Sequence, residues 1–194
     1  PNLREVNLAD NNLTSGGGEM SAVITLAEAF TKMPNLREVN LASNNLTNRG
    51  KDTSAVIKLA DAFTKMPNLR KVNVKKNRIT GEAAEKLAKV VLEMPSMADF
   101  CGIPIKALRD NTATDLDLSK HSLGAPEGMV LSGLLPGASS LATLNVASNK
   151  LGVEGGIGLH PDAQPTDSEP CVKSTLLAIR LEAGGGVAQD AQPA

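Results

Sequence analysis

Apolar positions along the first part of the chain fall in a fixed order: Leu3, Val6, Leu8 and Leu13, then Leu36, Val39, Leu41 and Leu46, then Leu69, Val72, Val74 and Ile79. Alternation at Val6 and Leu8 predicts a short strand with one buried face, and the leucines at either end turn the chain into the same core. Behind each strand the spacing changes. Val23, Leu26, Ala27 and Phe30 stand one helical turn apart, as do Val56, Leu59, Ala60 and Phe63, and Ala84, Leu87, Ala88 and Val91. Each set marks the apolar stripe of a helix. Met-Pro at 33–34, 66–67 and 94–95 closes each helix, because proline disfavours helical geometry in the residue before it.

The unit is copied. Residues 1–33 and 34–66 differ only at positions 10, 15, 16, 18, 19, 20, 25 and 28 and their partners 33 residues later. A third copy over 67–94 shortens the period from 33 to 28 and keeps the register of its opening segment, so the length varies in the second half of the unit. A degraded copy follows at Ala113, Leu116, Leu118, His121 and Leu123, a clear one at Leu141, Leu144, Val146, Asn149 and Leu151, and a last one at Leu176, Ile179 and Leu181, where Gly184 takes the Asn position. Between the third and the degraded copy, Met97 and Phe100 hold two apolar positions of a short repeat, 97–112, with almost no convex segment.

Strand, turn and helix in tandem predict an α/β solenoid shaped as a horseshoe, with parallel strands on the concave face and helices on the convex face. Strands are expected to begin near 4, 37, 70, 98, 114, 142 and 177, with helices near 20–32, 53–65, 81–93 and 125–135. The solenoid covers 1–159; the proline-rich 160–174 is expected as an irregular loop, 175–183 as a degenerate terminal strand and the glycine-rich 184–194 as a disordered tail. Asn11, Asn44, Asn77 and Asn149 are expected to stack as a ladder, since a buried amide satisfies backbone groups of neighbouring turns. His121 is read as a substituted ladder residue. No polar cap precedes Leu3, Val6 and Leu8, so the first repeat is expected to pair with another copy of the chain or to lie under an upstream repeat; the chain starts without Met and reads as a fragment.

Composition narrows the function. Three Phe and no Trp or Tyr leave burial to leucine, and 20 Lys+Arg against 21 Asp+Glu exclude a generally basic nucleic-acid binder. Two cysteines are too few for a disulfide scaffold, and no run of about 18 apolar residues marks a membrane span, so a soluble, cytoplasmic protein is expected. His121, His160, Cys101 and Cys171 lie in no metal or nucleophile motif, and Gly16-Gly17-Gly18 and Gly152–Gly156 lack the Gly-Lys-Ser/Thr ending of a phosphate loop. No catalytic residue, cofactor or metal is expected. The candidates are instead the outward strand positions: Arg4, Glu5, Asn7 and Asp10; Arg37, Glu38, Asn40 and Ser43; and Arg70, Lys71, Asn73, Lys75 and Lys76. Stacking sets these in columns that offer a partner a repeated set of donors. Lys65 to Glu93 forms a local basic patch suited to an acidic protein; without aromatics to stack bases, nucleic acid is disfavoured.

Leu-x-x-Val-x-Leu-x-x-Asn-x-Leu with 28-residue spacing and alternating helices resembles the ribonuclease-inhibitor type of leucine-rich repeat, which also forms the C-terminal arrays of nucleotide-binding (NOD-like) immune receptors and Ran GTPase-activating proteins. Phe100 to Asn111 with Leu116-Asp117-Leu118 resembles a segment recurrent in such repeat proteins of unicellular eukaryotes. The resemblance implies a non-enzymatic scaffold that binds a protein partner on its concave face, as part of a larger receptor-like or adaptor protein. It also implies an alternative, a GTPase-activating regulator in which Arg4, Arg37 and Arg70 would lie at the contact. A third reading is a purely structural array of recent copies.

Overall fold

Val6, Val39 and Val72 sit opposite one another at the centres of three parallel strands, β1 (Glu5–Asn7), β2 (Glu38–Asn40) and β3 (Lys71–Asn73). The computed structural model describes residues 2–151, so the expected strand near 177 and the segments 160–174 and 184–194 lie outside the described residues. Each strand is followed by a turn and a helix: α1 (Ser21–Phe30), α2 (Ser54–Phe63) and α3 (Gly81–Glu93). Neighbouring helices pack in sequence, α1 on α2 and α2 on α3. The core lies between the layers, where Phe30, Phe63, Leu41, Leu59 and Leu87 are fully buried.

Two ladders join the repeats beneath the strand ends. Asn44 Oδ1 accepts the amides of Asn11 and Leu13, while its Nδ2 donates to the Leu8 carbonyl at 2.7 Å. Asn77 repeats the pattern on Asn44, Leu46 and Leu41. A second ladder was not read from the sequence. The buried Thr14 hydroxyl donates to the Asn44 carbonyl at 3.0 Å, and Thr47 donates to that of Asn77 at 2.8 Å.

Identical residues end up with different burial. Val39, Leu41 and Leu46 are buried, whereas their first-repeat counterparts Val6, Leu8 and Leu13 are only half-buried and Leu3 is 44 % exposed. A repeat buries its side chains against its neighbours, and the first described repeat has a neighbour on one side. Asn11 differs from Asn44 for the same reason: its Nδ2 donates only locally, to Ala9.

The expected continuous sheet is interrupted. β4 (Asp99–Phe100) pairs with β3 but is two residues long, because Phe100 bridges back to Ile103 and Cys101 and Gly102 take left-handed backbone with φ of 54° and 85°. β5 (Asp115–Asp117) and β6 (Thr143–Asn145) form a separate parallel pair. At the break the Val74 amide donates to Cys101 Sγ at 3.3 Å, where longer strands would offer a carbonyl.

The short repeat also carries a helix that periodicity did not predict, α4 (Ile105–Arg109), which buries Ile105 and Leu108. Five residues leave little convex bulk, so α5 (Ala125–Leu134) reaches past α4 and packs on α3. Gly133 permits this approach, since a Cβ there would stand 2.6 Å from Leu92 Cδ1. Arg109 closes the other gap. Its guanidinium donates to the carbonyls of Leu92 at 2.6 Å, Met94 at 2.8 Å and Val91 at 3.3 Å, satisfying acceptors that the end of α3 leaves open.

Candidate interaction face

The strands set the candidate residues in columns one residue wide. Glu5, Glu38, Lys71 and Asp99 stand opposite one another, and beside them Asn7, Asn40 and Asn73. Only the central valine of each triplet points to the core, which leaves its flanking residues facing outward. Glu38 meets its sheet neighbour Lys71 at 3.7 Å, both half-exposed. Arg4, Arg37 and Arg70 precede the strands, are exposed, and use their carbonyls to carry the ladder: Arg4 accepts from Arg37 and Glu38, and Arg37 from Arg70 and Lys71.

The asparagine column turns inward on its own chain. Asn7, Asn40 and Asn73 each accept the amide two residues on, at 3.1–3.2 Å, and so shape the turn that leaves the strand. Asp117 does the same for the Ser119 amide at 2.8 Å, and this bond chiefly holds its carboxyl below the usual carboxylate range. Asp115 accepts the hydroxyls of Thr143 at 2.6 Å and Thr114 at 2.9 Å, which lower its carboxyl in the same way.

Past these turns the face folds into a cleft of about 520 Å³. One wall is built from predicted candidates, Asp10, Asn40, Ser43, Asn73, Lys75 and Lys76. The opposite wall is Ser119, Lys120, His121 and Ser122. Residues from the first repeat and from the repeat of β5 thus line one space, which requires the face to curve inward, since flat strands stand about 4.8 Å apart each. Arg4, Glu5, Arg37, Glu38, Arg70 and Lys71 stay outside the cleft, toward the opposite end of the strands.

His121 is not a ladder residue. It is exposed, and its Nδ1 bonds the Ser119 carbonyl at 2.8 Å within its own turn; because a carbonyl only accepts, Nδ1 carries the hydrogen. The ladder resumes only at Asn149, which accepts from Leu123 and donates to Leu118. The imidazole lies instead against Gly102, 3.8 Å from where a Cβ would stand, with Lys75 Nζ 3.7 Å from the same point. A side chain at Gly102 would fill the space between them. Beneath lies Cys101, whose thiol is pushed well above its ordinary range first by burial and then by the Glu127 carboxylate. Among the described residues no group of three His, Cys, Asp or Glu is placed to hold a metal ion, and no helix is long and apolar enough to cross a membrane.

The walls of Lys120 and His121 were missed from sequence because their repeat is degraded and their approach to Lys75 crosses the break between the sheets. The comparisons bear on the framework rather than on the cleft. No curated protein and no solved structure matches the chain. The family described as Leucine Rich repeat matches at four places, residues 1–20, 32–50, 65–88 and 137–159, three of them on the copies that open at 1, 34 and 67 and the fourth on the clear late copy. These are the segments that supply β1, β2, β3 and β6, with Asn11, Asn44, Asn77 and Asn149 at their turns. Parallel strands in register, helices behind the first three of them and an asparagine closing each of these turns agree with that match: the chain is a leucine-rich-repeat protein.

Proposed function

We propose that the chain is a non-enzymatic scaffold that binds a protein partner through its inward-curving strand face, in a receptor-like or adaptor role of the ribonuclease-inhibitor-like kind. Leucine-rich repeats generally mediate protein–protein interaction. The observation that carries the reading is the register of Arg4, Arg37 and Arg70 beside Glu5, Glu38 and Lys71: framework bonds use their backbones and leave the side chains to the surface. The free, buried thiol of Cys101 fits a reducing compartment, and we place the protein in the cytoplasm. We further propose that copies of the chain associate through the first repeat, whose half-buried Val6, Leu8 and Leu13 match residues that an adjoining repeat covers in the second.

A photo-crosslinking side chain placed at Asn40, on the strand face, or at Lys58, on the outer surface of α2, tests the main reading. Discrete adducts from Asn40 and none from Lys58 are expected in native extract. Adducts from Lys58 alone would overturn it. A panel of small GTPases assayed for hydrolysis with the purified chain separates the scaffold, which leaves their rates unchanged, from a GTPase-activating regulator.

A further inference from the structure

We infer that the cleft is a docking groove for an acidic peptide segment of the partner, an inference that rests on the strand-face reading above. Lys75, Lys76 and Lys120 line one space together with His121, and Asp10 is the single acidic group in its walls. None of these lysines is ion-paired: among the described residues the pairs are Lys71–Glu38, Lys86–Asp61 and Lys106–Asp110. The strand carboxylates Asp99 and Asp117 are bonded to the turn amides of Gly102 and Ser119 instead. A curved wall that gathers three lysines against one wall carboxylate, Asp10, keeps an excess of positive charge, and a partner that brings carboxylates relieves it.

The backbone under two of the lysines supports a role outside the fold. Lys76 and Lys120 have φ of 60° and 58°, left-handed geometry that glycine or asparagine takes at lower cost. At the corresponding turn position other repeats carry Asp10, Ser43 and Ser148 in the same geometry. Lysine there does nothing for the turn, and its ammonium is what the cleft gains.

The chemistry of the groove favours carboxylates spread along a peptide over a compact phosphate. A phosphate cradle needs free backbone amides, and here the amides of Ala42, Lys75, Gly102 and Ser119 are taken by Asn40, Asn73, Asp99 and Asp117. Recognition falls to separate ammonium groups on long stems, with the hydroxyls of Ser43, Ser119 and Ser122 between them. No Phe, Tyr or Trp lines the cleft, and its one ring, the His121 imidazole, is tied to the Ser119 carbonyl, so successive bases find no stacking platform and nucleic acid is set aside. Asp10 repels acid at one end, so the segment's carboxylates belong toward Lys76 and Lys120.

The test uses the whole chain and a fluorescein-labelled hepta-glutamate peptide, read by anisotropy at low salt. Binding is expected for this peptide and not for its glutamine counterpart. Lys76→Asn with Lys120→Asn should weaken binding about fivefold or more, while the melting temperature stays level or rises. Lys86→Gln with Lys89→Gln removes the same charge from α3 and should leave binding unchanged. No binding, equal loss in both double variants, or stronger cleft-dependent binding of single-stranded RNA of equal charge would overturn the inference. Its failure is separable from that of the scaffold. If glutamate peptides fail while Asn40 still crosslinks a partner, the groove assignment alone falls; if Asn40 yields no adduct, the strand-face reading falls with it.

Discussion

Asn77 accepts the Asn44 amide at 2.8 Å, and the same side chain accepts from Leu46 and donates to Leu41. One buried amide therefore satisfies three backbone groups of the preceding repeat. Asn77→Ala strands them, at about 1–3 kcal/mol for each buried group left unpaired. Urea denaturation should show a large loss for Asn77→Ala and little change for Asn11→Ala, since the Asn11 side chain bonds only to Ala9 and is exposed.

Leu8 and Leu41 are the same residue in nearly the same sequence, yet only Leu41 is fully buried. Leu41→Ala should cost about 2–5 kcal/mol, as truncation of a close-packed leucine does, and Leu8→Ala less than half of that. Arg37→Ala should stay within about 0.5 kcal/mol of the parent. Equal losses at Leu8 and Leu41 would show that burial here does not come from the adjoining repeat.

Arg109 holds the end of α3 through three carbonyls. Arg109→Ala should destabilise the chain by about 1.5–3 kcal/mol, the range for hydrogen bonds to a charged donor. Lysine lacks the planar fork, so Arg109→Lys should recover only part of the loss in thermal melts.

Cys101 offers a pH test. Its folded thiol titrates above the ordinary range, first because burial penalises the thiolate and then because Glu127 repels it. The unfolded chain loses that proton first as pH rises, so stability should be level below about pH 8.5 and fall above it. In a Cys171→Ser background, an aromatic disulfide reagent should label Cys101 only upon unfolding. Rapid labelling of the native chain would contradict its burial.

The framework was legible because its signals are local. Val39 and Leu41 alternate, Val56, Leu59 and Phe63 recur at helical spacing, and both patterns survive from copy to copy. What was missed depends on contacts between repeats. Thr14 and Thr47 read as ordinary turn residues until each meets the carbonyl of the next repeat. α4 follows Pro104 and is too short to display a period, and the two-residue β4 ends in a backbone reversal that leaves no mark in the hydrophobic pattern. The half-burial of Leu8 reflects its position in the stack, which its own sequence does not carry. For the candidate face, the columns from Arg4 to Lys76 followed from strand alternation, whereas the joining of Lys75 with Lys120 and His121 required the curvature and the break between the sheets.

Hydrogen exchange of the free chain against the chain saturated with its crosslinked partner tests the strand-face account most directly. Binding should slow exchange in β1 to β3 and in the turns around Lys75, Lys76 and Ser119 to Ser122, and leave α1 to α3 unchanged. Protection confined to the outer surfaces of α1 to α3, with the strands and the cleft turns unaffected, would contradict it.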